Sequence, residues 1–308
     1  MTFASRSRTH NDKLRSQKTF YPIKEYNVSM KLLRRGKVKD IYDLQNGDIL
    51  LHFTDRISAF DVGMTTPVPR KGEVLCRFAE FWFNNLGVRH HMLRLKDKDK
   101  LIAKKMDMIP IECIVRGYFY GSLLDRYDKE PLASMIPKNF QPIKAAKLID
   151  PIFDPTTKSE QHDEPITKSD ILSSGLLSNK EFDYLRETSI NLYKKMSLIV
   201  GKSGFLIADV KFEFGREPKT GEILLGDSLG PDEYRLWLAS NYSVGRTQES
   251  YDKQLLRDWL IQTGFKDRLD RLAKEGKKPD PPTIPDELVS KLSSRYIYAY
   301  EKITRRKF

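Results

Sequence analysis

The chain is poor in cysteine, short of acidic charge and free of long apolar runs. Cys76 and Cys113 are the only cysteines in 308 residues. That leaves no disulfide framework and fits a reducing compartment. Neither has a CxxC partner or a Cys/His neighbour, so no structural zinc site is expected. Both stand in apolar stretches and read as small core residues. No apolar run approaches the roughly 18 residues that a membrane helix needs. The N-terminus is polar and lacks the apolar centre of a secretory signal. A cytoplasmic protein with no membrane partner is the expectation. The phosphate-binding signature GxxxxGKS/T is absent, which excludes a Walker-type loop. RNP-type aromatic motifs, zinc-finger spacings and coiled-coil heptads are missing as well.

Acidic residues number 42 against 54 lysines and arginines, for a net charge of +12. Such a balance suits nucleic acid, membrane surfaces or anionic small molecules. The excess is spread along the chain, with clusters at Arg6, Arg8 and Arg15 and at Arg305, Arg306 and Lys307. The Ser/Arg-rich start has the composition of a short transit peptide but no clear amphipathic helix, so residues 1–29 read as an extension. The remainder is 39% hydrophobic by whole-chain composition, enough for one large domain or two coupled ones.

Strands are expected first, mixed elements next and helices last. Lys31–Arg35, Lys39–Leu44 and Ile49–Thr54 predict a meander, with a turn at Asn46-Gly47. Val74–Leu86 predicts a helix with Phe78, Phe81, Trp82 and Leu86 on one face. Ile109–Arg116 predicts a strand, and Ile149 to Pro165 a long Pro/Thr/Asp-rich loop. Phe182–Val200 predicts a helix, followed by two paired strands, and helices at Tyr251–Thr263 and Asp286–Thr304 close the chain. The fold class is α+β, a nucleotide-binding architecture rather than a doubly wound sheet.

The segment ADVKFEFG, Ala208 to Gly215, is the most informative. Asp209, Lys211 and Glu213 alternate with Val210, Phe212 and Phe214. A strand sends alternate side chains to opposite faces, so one face is apolar and the other reads acid, base, acid. That is the pattern of any half-buried strand. It is also a face that could hold a metal-bound phosphate, since hard cations take oxygen ligands and lysine pairs with phosphate. Asp227 ends the expected partner strand and could approach Glu213 as a second metal ligand. LLRRGKVKDIYDL brings Lys37 and Lys39 to a glycine bend, either a plain basic hairpin or a cover for phosphates. DRISAFDV places Asp55, Ser58 and Asp61 after a strand end. In PIECIVRGYFYGS, Glu112 and Arg116 share a strand face, and Gly117 and Gly121 flank an aromatic triplet before Ser122. Arginine and serine near glycines can clamp a phosphate, while Arg116 paired with Glu112 would be merely structural. His162 in DPIFDPTTKSEQHDEP reads as a surface or structural residue. Arg235 lies in a segment anchored by Trp237.

Taken in order, RGKVKDIY, DRISAFDV, PRKGEVL, PIECIVRGYFYGS, PTTKSEQHDE, ADVKFEFG, GPDEYRLW and SYDKQLLRDWL resemble the motifs of the SAICAR synthetase family. The resemblance runs from about residue 30 to 304, and the RDWL segment points to the family's longer form. It implies an α+β, SAICAR synthase-like fold, a two-lobed nucleotide-binding architecture akin to ATP-grasp and kinase folds, with C-terminal helices. A β-rich lobe over residues 30–110 would cover ATP, and residues 111–308 would form the catalytic lobe. The implied reaction joins L-aspartate to the carboxylate of carboxyaminoimidazole ribonucleotide (CAIR), using ATP and Mg2+, in purine biosynthesis. By matching position, Lys37, Lys39 and Lys105 would surround the ATP phosphates, with Lys158 nearby and Glu112 at the adenosine end. Glu213 and Asp227 would hold magnesium. Arg116, Ser122 and Arg235 would bind the CAIR phosphate, and Asp209 and Lys211 would face its carboxylate as the catalytic pair. Asp55, Ser58 and Asp61 would lie near the reacting groups or the aspartate.

Two departures stand out. The family often carries two small residues before the arginine of PDxxRxW, where this chain has Glu233 and Tyr234. The acidic pair after the hairpin strand is here Asp227-Ser228. Two rivals are an ATP-dependent ligase or kinase with another acceptor, and a basic RNA-binding protein. The second predicts salt-dependent RNA binding and no use for the Asp209/Lys211/Glu213 face. Small-molecule substrates without a specific nucleic-acid partner are expected, with a homo-oligomer open.

Overall fold

A computed structural model describes residues 30–129, 132–158 and 164–308. The expected N-terminal extension, His162 and Asp163 lie outside the described residues. The meander is present as β1 (Lys31–Arg35), β2 (Lys39–Asp43) and β3 (Asp48–Phe53). A two-stranded ribbon follows, β4 (Ser58–Ala59) and β5 (Val62–Gly63), and then helix α1 (Lys71–Leu86). The four aromatic and aliphatic residues expected on one face of α1 are all buried. Next come β6 (Met92–Asp97) and β7 (Lys100–Lys104), which complete an antiparallel sheet in the order β1-β2-β3-β7-β6. That hairpin was not foreseen. Its sequence, MLRLKDKDKLIAK, is so charged that the strand pattern is masked, and β6 is an exposed edge where charge guards against pairing with other chains.

The second sheet is built on β8 (Asp107–Tyr118). A single helical turn, α2 (Leu132–Met135), precedes β9 (Lys147–Phe153) and β10 (Thr156–Thr157). The capped helices α3 (Lys168–Ser173) and α4 (Asn179–Gly201) lead into β11 (Phe205–Arg216), β12 (Ile223–Leu225) and β13 (Tyr234–Leu238). The order is β10-β8-β11-β12, with β9 also on β8 and β13 also on β11. The stretch expected to be one long loop after Ile149 therefore contains two strands. Pro151 sits in β9, which pairs only with β8, so its missing N–H breaks no ladder on the free side. The chain closes with α5 (Gln254–Gln262), α6 (Phe265–Ala273) and α7 (Asp286–Thr304). The unforeseen α6 begins after Gly264, whose φ of 71° breaks the preceding helix.

One main apolar core joins α1, both sheets, α4 and α7. Cys76 and Cys113 are fully buried free thiols within it. Helix α4 packs on β11, and Tyr193 donates a 2.8 Å hydrogen bond to the Ile207 carbonyl. The same tyrosine crowds Gly117 so closely that a Cβ there would stand 1.7 Å from its hydroxyl oxygen. Gly117→Ala should therefore destabilise the protein by about 1–3 kcal/mol, as overpacking does. Urea unfolding monitored by tryptophan fluorescence checks this; an unchanged midpoint would contradict the packing.

Candidate active site

A cleft opens between the first sheet and β11. Its polar part, about 320 Å³, is bounded by the β1–β2 bend, β4, Glu112, Lys158, Lys211 and the Asp227–Glu233 segment. Its apolar part, about 410 Å³, is bounded by Ile49, Leu51, Met106, Met108 and Pro110, with Lys104 and Lys105 at its side. The two share Arg34, Ile41, Lys158 and Asp227.

Register explains why the charged groups meet. Asp209 of β11 faces Arg116 of β8, and Glu213 faces Glu112. Two carboxylates directly opposite would repel. Lys211 relieves this, donating to Glu112 Oε1 at 2.6 Å and to Glu213 Oε1 at 2.8 Å. Lys158 bonds the other Glu213 oxygen, and Lys39 bonds Asp227 and, at 2.7 Å, Ser228 Oγ. Burial disfavours the charged forms of Lys39, Lys211, Glu213 and Asp227, yet the pairing wins. The Lys211 pKa is raised because Glu213 and Glu112 outweigh burial. Asp227 is held well below the usual carboxylate range because Lys39, Lys158 and Lys211 outweigh burial. Asp227 lies two residues past β12, at a φ of 52°. The imidazole of His91, pushed down to about 4 by burial and so neutral, donates through Nε2 to the Asp227 carbonyl at 3.0 Å.

A second cluster lies at the other end of β11. Arg116 Nε donates to Asp154 at 2.6 Å, and its Nη2 donates to Ser122 at 3.1 Å. Arg126 reaches the same Asp154 oxygen at 2.7 Å. Arg235 binds Asp209, which also lies 3.9 Å from Arg116. Gly121, at a φ of 63°, lets Arg235 in: a Cβ there would stand 2.7 Å from its Nη2. Arg116, Ser122, Arg235 and Asp209 are thus brought together. The alternative partner of Arg116, Glu112, is instead taken by Lys211. A strand rises about 3.3 Å per residue, so Asp209 and Glu213 stand about 13 Å apart along β11.

The remaining expected residues are divided. Lys37 pairs with Asp61 at 2.5 Å, both beside buried Ser58 at the mouth of the polar cavity. Lys105 edges the apolar cavity, bound to Asp43 at 3.0 Å. Glu112 lines the polar cavity and not the methionine-lined one. Asp55 is a correction. Its carboxylate accepts from the backbone N–H groups of Arg70 at 3.2 Å and Gly72 at 3.0 Å. It satisfies the start of α1, where free N–H groups and the helix dipole favour an anion, rather than facing the cleft.

Glu213 and Asp227 also pass a test of donor chemistry for magnesium. Asp227 acts on Glu213 as a neighbouring negative charge. No set of three carboxylate, imidazole or thiol ligands converges among the described residues. Magnesium needs none, since it takes one or two carboxylates and completes its shell with phosphate oxygens and water.

A family model described as SAICAR synthetase matches residues 32–272. The chain belongs to the SAICAR synthetase family. It is 50% identical over 275 residues to the phosphoribosylaminoimidazole-succinocarboxamide synthase of Nitrosopumilus maritimus, covering 89% of this chain and 98% of that one. The Candida maltosa protein of the same name is 36% identical over 294 residues, covering 90% and 96%. The Saccharomyces cerevisiae SAICAR synthase, solved with SAICAR, superposes with a TM-score of 0.76 at 34% identity, covering 91% and 96%. A SAICAR synthetase solved with ADP gives 0.68 at 25% identity, covering 89% and 98%. The α+β, SAICAR synthase-like architecture is thus the one observed.

Several residues of the site were not singled out in the sequence. Asp154 and Arg126 complete the arginine cluster, Asp232 and Lys253 line the polar cavity, and Lys71 binds Asp232 from behind it. Burial and the nearby Arg257 and Lys71 lower the Lys253 pKa to about 8, against the pull of Asp232. The only local signal for Lys253 was its place in DKQLLRDWL, which reads equally as the start of an amphipathic helix.

Proposed function

We propose that this member of the SAICAR synthetase family joins L-aspartate to the carboxylate of CAIR at the expense of ATP, in purine biosynthesis, and that it does so by phosphorylating that carboxylate. The observation that carries this reading is the ladder of groups along β11: an arginine cluster at Asp209, a bridging lysine at 211 and a carboxylate pair at Glu213 and Asp227, beside an apolar cavity of about 410 Å³. A ribonucleotide bearing a carboxylate matches that order, phosphate at one end and reacting group in the middle. The rival readings leave one end or the other without a purpose.

The chain's own groups then have these roles. Arg116 and Arg235 grip the nucleotide phosphate from two strands, with Ser122 adding a hydroxyl. Asp209 and Asp154 hold the guanidinium groups in place. Lys211 attracts the carboxylate that is to be activated. Lys37, Lys39, Lys105 and Lys158 exchange their carboxylate partners for phosphate oxygens of ATP, whose base enters the methionine-lined cavity. Glu213 and Asp227 would hold magnesium, which neutralises phosphate charge when bound. A carboxylate is a poor electrophile; as an acyl phosphate it has a good leaving group, and an amine can attack it. Positioning and charge neutralisation are the protein's contribution. Residues 30–110 cover the nucleotide in this reading, and residues 111–308 carry the acceptor groups. Two buried free thiols suit a cytoplasmic site, and no helix of the described residues is long and apolar enough to cross a membrane.

A coupled assay of ADP release, omitting CAIR and aspartate in turn, tests the reading. Release should require both. Release with another amino acid but not aspartate would name a different acceptor.

A further inference from the structure

Two cations of the polar cavity are left without a hydrogen-bonded carboxylate. Lys253 stands just before α5, and Arg257 follows four residues on in its first turn, so both side chains lie on the same side of the helix. Both line the polar cavity, as Lys211 does. The start of the helix is anchored. Leu256 and Leu260 are fully buried, and the Asp252 carboxylate accepts from the backbone N–H groups of Leu236 and Gln254, both at 2.6 Å. Lys37, Lys39, Lys158 and Lys211 of the same cavity are each held by a carboxylate. Lys253 comes no closer than 3.9 Å to Asp232, whose oxygens already accept from Lys71 at 2.7 Å and from Tyr296 at 3.0 Å. Arg257 makes no hydrogen bond or ion pair among the described residues, and its nitrogens are not closed off from the cavity.

The reaction brings anions that have no seat in the roles above. There Lys37, Lys39, Lys105 and Lys158 turn to ATP, Lys211 to the carboxylate of CAIR, and Arg116 and Arg235 to its phosphate. Aspartate adds two carboxylates of its own, and its amine has to reach the carbon held at Lys211. We propose that Arg257 and Lys253 form a carboxylate-binding subsite, which holds the incoming amino acid in the polar cavity with its amine towards the activated carbon. The inference rests on the ligase reading above. A guanidinium can take a carboxylate through two parallel N–H bonds, which fixes its direction as well as its position, and the lysine adds a point charge beside it. The surroundings support the role. Burial and the nearby Arg235 lower the Arg257 pKa against the pull of Asp252 and Asp209. Burial, with Arg257 and Lys71, does the same to Lys253 against Asp232. Positive charge is therefore in excess at this corner of the cavity, and a bound carboxylate would relieve it. Because the start of α5 is fixed by Asp252 and by its buried leucines, the two cations are held in place before the amino acid arrives.

Steady-state kinetics of ADP release, with aspartate, CAIR and ATP varied in turn, test the subsite in wild type, Arg257→Gln and Lys253→Met. Arg257→Gln is expected to raise the KM for aspartate by more than about tenfold, because a charge-assisted pair is lost. The KM for CAIR and the KM for ATP should each stay within about threefold of wild type. Lys253→Met should raise the KM for aspartate as well. An aspartate KM within about threefold of wild type in Arg257→Gln overturns the proposal; an arginine that only braces α5 would give that result with a lowered melting temperature. A CAIR KM that rises as far as the aspartate KM also overturns it, and would put Arg257 with Arg116 and Arg235 on the nucleotide phosphate. Should Arg257→Gln not fold or show no turnover, Arg257→Lys, which keeps the charge and loses the fork, is put through the same comparison, and a selective rise in the KM for aspartate is again required. A wild type that releases no ADP with aspartate would instead refute the ligase reading, so the two failures are told apart.

Discussion

Glu213→Gln and Asp227→Asn are each expected to fold and to lose about 10²–10³-fold in turnover, the scale seen when one preorganised electrostatic group is removed from a reacting centre. Both side chains point into the same lysine cluster, Glu213 to Lys158 and Lys211, Asp227 to Lys39. In the free protein these lysines neutralise the carboxylates. In the proposed working complex the same lysines would turn to phosphate, and the two carboxylates would hold the divalent cation. The neutral amides keep shape and lose charge, so the defect should deepen as magnesium becomes limiting. Melting temperatures identify any variant that has merely unfolded. Normal activity in both variants at limiting magnesium would remove the metal assignment.

Arg116→Lys is expected to raise the KM for CAIR by more than tenfold, at least about 1.4 kcal/mol, with the KM for ATP nearly unmoved. Arg116 uses its planar fork in three directions, to Asp154 through Nε, to Ser122 through Nη2 and towards Asp209 through Nη1. Lysine has a single charged point and cannot hold that orientation. A purely structural arginine predicts a lower melting temperature with CAIR affinity intact. Steady-state kinetics together with thermal unfolding distinguish the two.

How far the sequence carried this account depends on the kind of signal. Alternation at Asp209, Lys211 and Glu213 was legible, because period two survives any tertiary setting, and β11 extends well past the expected bounds. The α1 face was legible for the same reason at helical period. What alternation could not show was the partner across the sheet. Only the register of β8 against β11 reveals that Lys211 serves Glu112 as well as Glu213. Asp55 misled because its neighbours in DRISAFDV do reach the cleft, whereas its own carboxylate turns to the first turn of α1. Asp154 was read as part of a loop, since Pro151 and Pro155 hide an edge strand. Glu233 was visible only as a departure from the family pattern.

The central claim is that a carboxylate is activated by phosphoryl transfer before the amine attacks it. CAIR labelled with oxygen-18 in its carboxylate tests this most directly. After one turnover with ATP and aspartate, mass spectrometry of the released phosphate should show one labelled oxygen per phosphate, because the C–O bond of the activated carboxylate breaks and that oxygen departs on phosphorus. Unlabelled phosphate, with one labelled oxygen kept in the amide and the other lost to water, would contradict the account.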